Sequence, residues 1–311
     1  MRVFVAGAGG AVGRRLVPML VERGHEVVGT TRTPAKVETL RRLGAEPVLL
    51  DGLDAAAVGE AVARAEPDAV VHEMTALAGL GSLRRFDRVF ARTNALRTRG
   101  LDHLLAAATA AGARFVAQSY TGWTNAPGTG LATEDDPPDP HPAKAQRETL
   151  AAIAHLERAT VEAGGLALRY GFLYGPGASE ELVAVVRKRA FPLVGEARGV
   201  ASFVHVDDAA AATAIAVERG APGVYNVVDD EPAAFAEWLP FLAETIGAPP
   251  PRRVPVGLAR LLAGEVPVRM STRGRGASNA KARRELGWTP RYPSWRDGFR
   301  GGLAENDPVR A

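Results

Sequence analysis

Apolar runs and amphipathic stretches alternate along the first half of the chain. Near-continuous apolar, β-rich segments fall at residues 3–6, 26–29, 47–50, 69–72, 114–118 and 166–170. Between them, apolar positions recur at helical spacing over residues 10–22, 34–43, 53–65, 87–111 and 143–162. Strands without polar alternation are buried on both faces, and strands that each hand on to a helix pair in parallel. Right-handed crossovers then wind the chain into a Rossmann-type, doubly wound α/β fold. Residues 121–142, rich in Pro, Gly and Asp, are too long for a plain connection and predict a covering loop.

After residue 175 the rhythm changes. Shorter strands are predicted at 202–206 and 224–228, with helices at 180–189 and 232–246 and a Pro-rich stretch at 248–255. The pattern divides the chain into residues 1–175 and a smaller, interleaved C-terminal portion, residues 176–311, resting on the sheet edge.

Composition narrows the class. At 46% hydrophobic and 23% charged residues, the 311-residue chain reads as globular. It contains no cysteine, which excludes disulfides and thiolate metal sites and fits a cytoplasmic protein. The six histidines show no ligand spacing, so no metal is expected. Met1 runs directly into a strand without the pattern of a signal peptide, and no apolar run suits a membrane span. The net charge of +3 is dispersed, with no basic run that would read nucleic acid. The expected partner is a small-molecule substrate.

Candidate chemistry begins at the first turn. Gly7, Gly10 and Gly13 follow a strand and open a helix, where bare backbone lets amides approach a pyrophosphate. This marks residues 1–175 as the dinucleotide-binding portion and 176–311 as the substrate-binding one. NAD-selective sites place an acid at the end of the second strand, some 20 residues on. Here that stretch reads VVGTTRTPAK, with no acid. Thr31, Arg32 and Lys36 instead suit a 2′-phosphate, so NADP is expected over NAD. Asp51 ends the third strand, either to meet the adenine amino group or to cap the next helix. Met74 and Thr75, after the fourth strand, are placed to border the ribose and nicotinamide.

Together these residues resemble the extended short-chain dehydrogenase/reductase superfamily, of the NAD-dependent epimerase/dehydratase type. The likeness rests on GAGGAVG (residues 7–13), LRYGFLYGPG (168–177), SFVHVDDAAAA (202–212) and SNAKARRELGWTP (278–290). It implies an NAD(P)-dependent enzyme, a homodimer, and a cofactor-side role for Asn94. It also implies a Ser or Thr after the fifth strand that polarises the substrate oxygen, here Ser119 or Thr121. A Tyr with a Lys four residues later would complete the site, since a phenol of pKa about 10 needs a nearby cation to work near neutrality. Residues 141–159, where that pair is expected, contain no Tyr. If Glu157 and Arg169 are the family's following Glu and Arg, the pair's positions hold Thr149 and Ile153. If Glu148 is used instead, they hold Pro140 and Lys144.

Tyr120 is the foremost substitute acid, with Tyr174, His72 and His141 behind it. Trp123 and Tyr174 are candidate substrate contacts. Three activities stay open on these residues. One is an NADP-dependent oxidoreductase acting on a small carbonyl or enone intermediate. Another is an epimerase or dehydratase with tightly held cofactor and no net redox. The last is a cofactor-binding sensor without chemistry.

Overall fold

The computed structural model describes residues 1–77 and 83–303. Six strands follow in order: β1 (Arg2–Ala6), β2 (Glu26–Thr31), β3 (Ala45–Leu49), β4 (Ala69–His72), β5 (Arg114–Tyr120) and β6 (Leu166–Tyr170). The chain then adds β7 (Phe172–Tyr174), β8 (Leu193–Val194), β9 (Val200–Ala201), β10 (Phe203–His205), β11 (Gly223–Val227), β12 (Ala233–Ala234) and β13 (Arg253–Val254). The main sheet has seven strands in the order β11-β6-β5-β4-β1-β2-β3. Every pairing within it is parallel. The strand order reverses between β1 and β4, the crevice where open α/β sheets bind ligands.

Helices cover both faces because each strand turns alternate residues to opposite sides. Val3, Val5 and Val71 face α1 (Gly13–Glu22) and α8 (Val206–Glu218). Phe4, Val28 and Val70 face α3 (Ala55–Ala65), α5 (Leu101–Ala110) and α6 (Arg147–Glu162). The remaining helices are α2 (Val37–Arg42), α4 (Phe86–Ala95), α7 (Glu180–Arg187), α9 (Phe235–Thr245), α10 (Val256–Ala263), α11 (Glu265–Arg273) and α12 (Trp295–Gly301). A separate aromatic core of Phe203, Phe235, Trp238, Trp295 and Phe299 holds the C-terminal portion together.

Two of the motifs meet in space. The Asp208 carboxylate accepts from the Arg291 and Tyr292 amides at 2.6 and 3.0 Å, and Trp288 Nε1 donates to the Asp208 carbonyl at 3.1 Å. The tail that follows LGW is thereby tied to the start of α8. The covering loop is pinned just as firmly: Arg269 pairs with Asp139 at 2.9 Å and Arg275 with Asp136 at 3.0 Å.

The structure departs from the sequence pattern in specific places. The predicted helix 87–111 is α4, a π-helical turn at Leu96–Gly100, and then α5. Such a turn inserts a residue and rotates the following side chains, which a fixed 3.6-residue period cannot register. The predicted helix 10–22 begins at Gly13, because residues 7–12 form the loop that precedes it. The predicted strand 202–206 is the shorter β10, and Val206 already opens α8. Strands of two or three residues, such as β7, β8 and β12, leave no periodic trace.

Candidate cofactor cleft and substrate side

A cleft of about 600 Å³ lies over the ends of β1, β2 and β4. Gly7, Gly10, Thr31, Arg32, Lys36, Met74 and Thr75 all line it, as do Gly9, Thr30, Gly52 and Glu73. Gly7 is indispensable there. Its φ is +94°, and a Cβ would sit 2.7 Å from the Glu73 carbonyl carbon and oxygen. The loop is braced from below, with the Gly7 amide donating to Thr30 Oγ1 at 3.1 Å. Gly13 serves packing instead, since a Cβ would meet the Gly7 carbonyl oxygen at 2.6 Å.

Past this loop α1 opens without a side-chain cap at Val12, and its Arg14, Arg15 and Leu16 amides already donate to the Gly10 and Val12 carbonyls. Bare glycine backbone and the buried Glu73 Oε2, which has no partner among the described residues, together fit a dinucleotide. Bound there, a nicotinamide dinucleotide supplies hydride-transfer chemistry.

The basic groups divide into two kinds. Lys36 Nζ donates to the Gly9 carbonyl at 2.7 Å, so it holds the loop in shape as well as facing the cleft. Burial, with Arg14 nearby, lowers its pKa. Arg32 is exposed at the rim. The Asp51 carboxylate is not among the lining groups; it accepts from Arg92 at 2.8 Å and from the Leu53 amide at 3.2 Å. Partial burial raises its pKa, and the Leu53 amide with Arg92 overcomes this and brings it below the ordinary value. Met74 packs its sulfur over Gly52, which has no room for a Cβ.

Further along the sheet edge, β5 delivers the three hydroxyls of Ser119, Tyr120 and Thr121. Ser119 is buried and donates to Glu157 Oε1 at 2.6 Å. Glu157 accepts in turn from Nε and Nη2 of Arg169, each at 2.7 Å. Thr121 is engaged with the Asn125 side chain at 3.1–3.2 Å. The Tyr120 hydroxyl alone among these has no partner among the described residues. Burial raises its pKa far above the ordinary value, against the opposing pull of Arg97, so it remains an O–H donor. The ring stacks on Trp123 at 5.2 Å, and Trp123 meets Phe86 edge-on at 5.0 Å.

Asn94 is not among the residues that line the cleft. Its Nδ2 donates to Thr149 Oγ1 at 3.0 Å, and Thr149 donates to Asp87 at 2.6 Å. Glu157 is the glutamate that meets Arg169, the pairing assumed in the register that puts Thr149 and Ile153 at the pair's positions. Trp123 also borders a second space of about 330 Å³ with Met270, Val266 and Arg273. Tyr174 lies apart from it, fully buried against Phe203, His205 and Phe299. His72 is buried, with Nε2 at 3.0 Å from the Leu96 carbonyl and a pKa lowered by burial. His141 is exposed.

Two charged residues were not foreseen. Glu73 is 5% exposed, and burial pushes its carboxyl up to about 8. Arg97, in the π-helical turn, is 4% exposed, and burial pulls its pKa down to about 10 against the attraction of Tyr120 and Glu157. An acid directly after the apolar run AVVH was the available signal for Glu73. For Arg97 there was none, because its inward direction depends on the π turn.

No helix of the described residues is long and apolar enough to cross a membrane, and none of their His, Asp and Glu side chains group to hold a metal. Comparison with known proteins then places the chain. The model of the NAD dependent epimerase/dehydratase family matches residues 3–227. A 3-diazoavenalumate denitrifying reductase from Streptomyces sp. is 45% identical, over 96% of this chain and 99% of that protein. A 4-hydroxy-2-methyl-3-oxo-4-farnesyl-3,4-dihydroquinoline-1-oxide ketoreductase from Stigmatella aurantiaca is 30% identical, over 79% of this chain and 74% of that protein. Among solved structures, the UDP-glucose 4-epimerase of Thermus thermophilus in complex with NAD aligns with a TM-score of 0.75 at 25% identity, covering 97% of this chain and 98% of that one. The chain belongs to the NAD dependent epimerase/dehydratase family and is an NAD(P)-dependent, oxidoreductase-type enzyme.

Proposed function

We propose that the protein is an NADPH-dependent reductase that replaces a diazo group by hydrogen on a small organic substrate. The observation that carries this reading is the end-to-end 45% identity with a reductase named for a diazo substrate. The ketoreductase relative is more distant and matches less of the chain.

The disposition of hydroxyls supports it. Ketone reduction ends on an alkoxide that must take a proton from a positioned acid. On an aryl diazonium, the cationic form of an aromatic diazo substrate, hydride gained at carbon and loss of dinitrogen balance without an added proton and form no oxyanion, so there is no such need. Residues 141–159 offer no tyrosine, and the Ser119 and Thr121 hydroxyls are occupied by Glu157 and Asn125. Arg32 and Lys36 at the cleft, with no acid at the end of β2, support NADPH over NADH. One observation favours ketone reduction as a second reading: the Tyr120 hydroxyl, without a partner among the described residues, remains a protonated donor.

The test is an anaerobic assay of NADPH oxidation with an aromatic diazo compound and, in parallel, a β-keto substrate. With the diazo compound, dinitrogen release and transfer of deuterium from [4-²H]NADPH to the product carbon are expected. Oxidation of NADPH by the ketone alone, without dinitrogen from the diazo compound, overturns the first reading in favour of the second.

A further inference from the structure

Glu73 is the one acid among the described residues that line the dinucleotide cleft. It follows β4, on the face covered by α1 and α8; its neighbour His72 turns to the other side, against the Leu96 carbonyl. An acid beneath a glycine loop is at first sight misplaced, because the ligand that such a loop holds is an anion. A carboxylate there would repel the diphosphate in a poorly screened setting.

The neighbours of the Glu73 carboxyl are hydroxyls. Glu73 Oε1 lies 2.7 Å from the Tyr170 hydroxyl oxygen. That oxygen is in short contact with Thr213 Oγ1, which lies 2.8 Å from the Ala209 carbonyl oxygen. A hydroxyl donor stabilises a buried carboxylate less than a cation would, so desolvation favours the neutral, protonated acid. Glu73 Oε2, buried and without a partner among the described residues, is then left to accept from a hydroxyl of a ligand.

We propose that Glu73 is a cofactor-binding residue that acts as a neutral acid, so that dinucleotide binding is coupled to its protonation. The inference rests on the nicotinamide-cofactor reading of the cleft and adds to it a proton-dependent step.

The environment is consistent with a neutral carboxyl. Burial raises Glu73 to about 8 and raises Tyr170, also beside Glu73, well above its ordinary range. On the helices packed over this face, Arg15 of α1 and Asp207 of α8 lie 3.4 Å apart as an ion pair. On the loop side of the cleft, Lys36 is the titratable group, and burial lowers its pKa. Below about pH 8 the carboxyl is neutral and the dinucleotide binds at full strength. Above it, each binding event must first take up a proton, so the apparent Kd climbs by up to about tenfold per pH unit.

The experiment is a titration of the purified full chain with NADPH, followed by nicotinamide fluorescence from pH 6.5 to 9.5. Calorimetry at pH 9 in buffers of differing ionisation enthalpy counts the protons taken up. Wild-type protein should show the rise in Kd and uptake of up to one proton. The Glu73→Gln variant should bind with a flat pH profile. NADH, which lacks the 2′-phosphate that Lys36 would meet, should show the same rise in wild type.

A flat wild-type profile without proton uptake overturns the proposal whether or not the variant folds. A rise that persists in Glu73→Gln also overturns it and assigns the titration to another group, Lys36 first. No binding of either dinucleotide at any pH overturns the cofactor reading itself, and the proposal with it.

Discussion

Ser119 donates its hydroxyl to Glu157 at 2.6 Å, which makes the serine of the fifth strand a brace for an ion pair. Glu157 and Arg169 each leave only 12% of their side chains exposed. Removing one partner of such a pair leaves a charge stranded in a region where water cannot replace it. Glu157→Ala should therefore destabilise the protein by about 3–5 kcal/mol. Ser119→Ala removes one hydrogen bond while Arg169 still satisfies the carboxylate, and should cost about 1 kcal/mol. Denaturant midpoints check both. With a diazo substrate, folded Ser119→Ala protein should retain turnover; a complete loss would return Ser119 to the chemistry.

The rim of the cleft separates two kinds of lysine and arginine. Arg32 lines the cleft but is exposed, so its contribution depends on a ligand phosphate. A hydrogen bond to a charged group contributes about 1.5–3 kcal/mol. Arg32→Ala should thus weaken NADPH by about ten- to a hundredfold and leave NADH nearly untouched. Lys36→Ala should weaken both dinucleotides, because its Nζ also holds the Gly9 carbonyl at 2.7 Å. Parallel titrations with the two cofactors decide it. Equal losses for Arg32→Ala would move the phosphate contact elsewhere.

How much of this was legible follows from range. Gly7, Gly10 and Gly13 could be read because loop, strand and helix are contiguous there, and the turn chemistry is local. The parallel order of β1 to β6 followed from apolar runs separated by helices. Glu73 was visible as an acid directly after AVVH, but its burial depends on elements far off in sequence, and nothing in the sequence marked Arg97. Glu73 is enclosed by Tyr170 from β6 and Thr213 from α8, 97 and 140 positions away. Arg97 turns inward through the π-helical turn at Leu96–Gly100. Tyr174 was placed at the substrate on a motif alone, whereas its hydroxyl is packed so closely on Gly298 that a Cβ there has no space.

The buried carboxyls also fix how stability changes with pH. Burial raises Glu73 and Asp229 to about 8 each. In the unfolded chain both titrate near 4. Between those values the folded state holds protons that the unfolded state releases, so stability falls as pH rises and levels off above about pH 8. The buried His72 and His205, whose pKa values are lowered by burial, work the other way, but only up to their unfolded pKa of about 6.5. Glu218 differs again: the Arg23 hydrogen bond, foremost, with His25 brings it to about 2. Its stabilisation is present above the unfolded value of about 4.3 and is lost as pH falls toward the folded one. The carboxyl effect therefore stands clear between pH 6.5 and 8. Across that window the melting temperature should decline, and Glu73→Gln or Asp229→Asn should each flatten the decline in part. If both variants keep the full wild-type slope, neither carboxyl is held protonated in the folded protein.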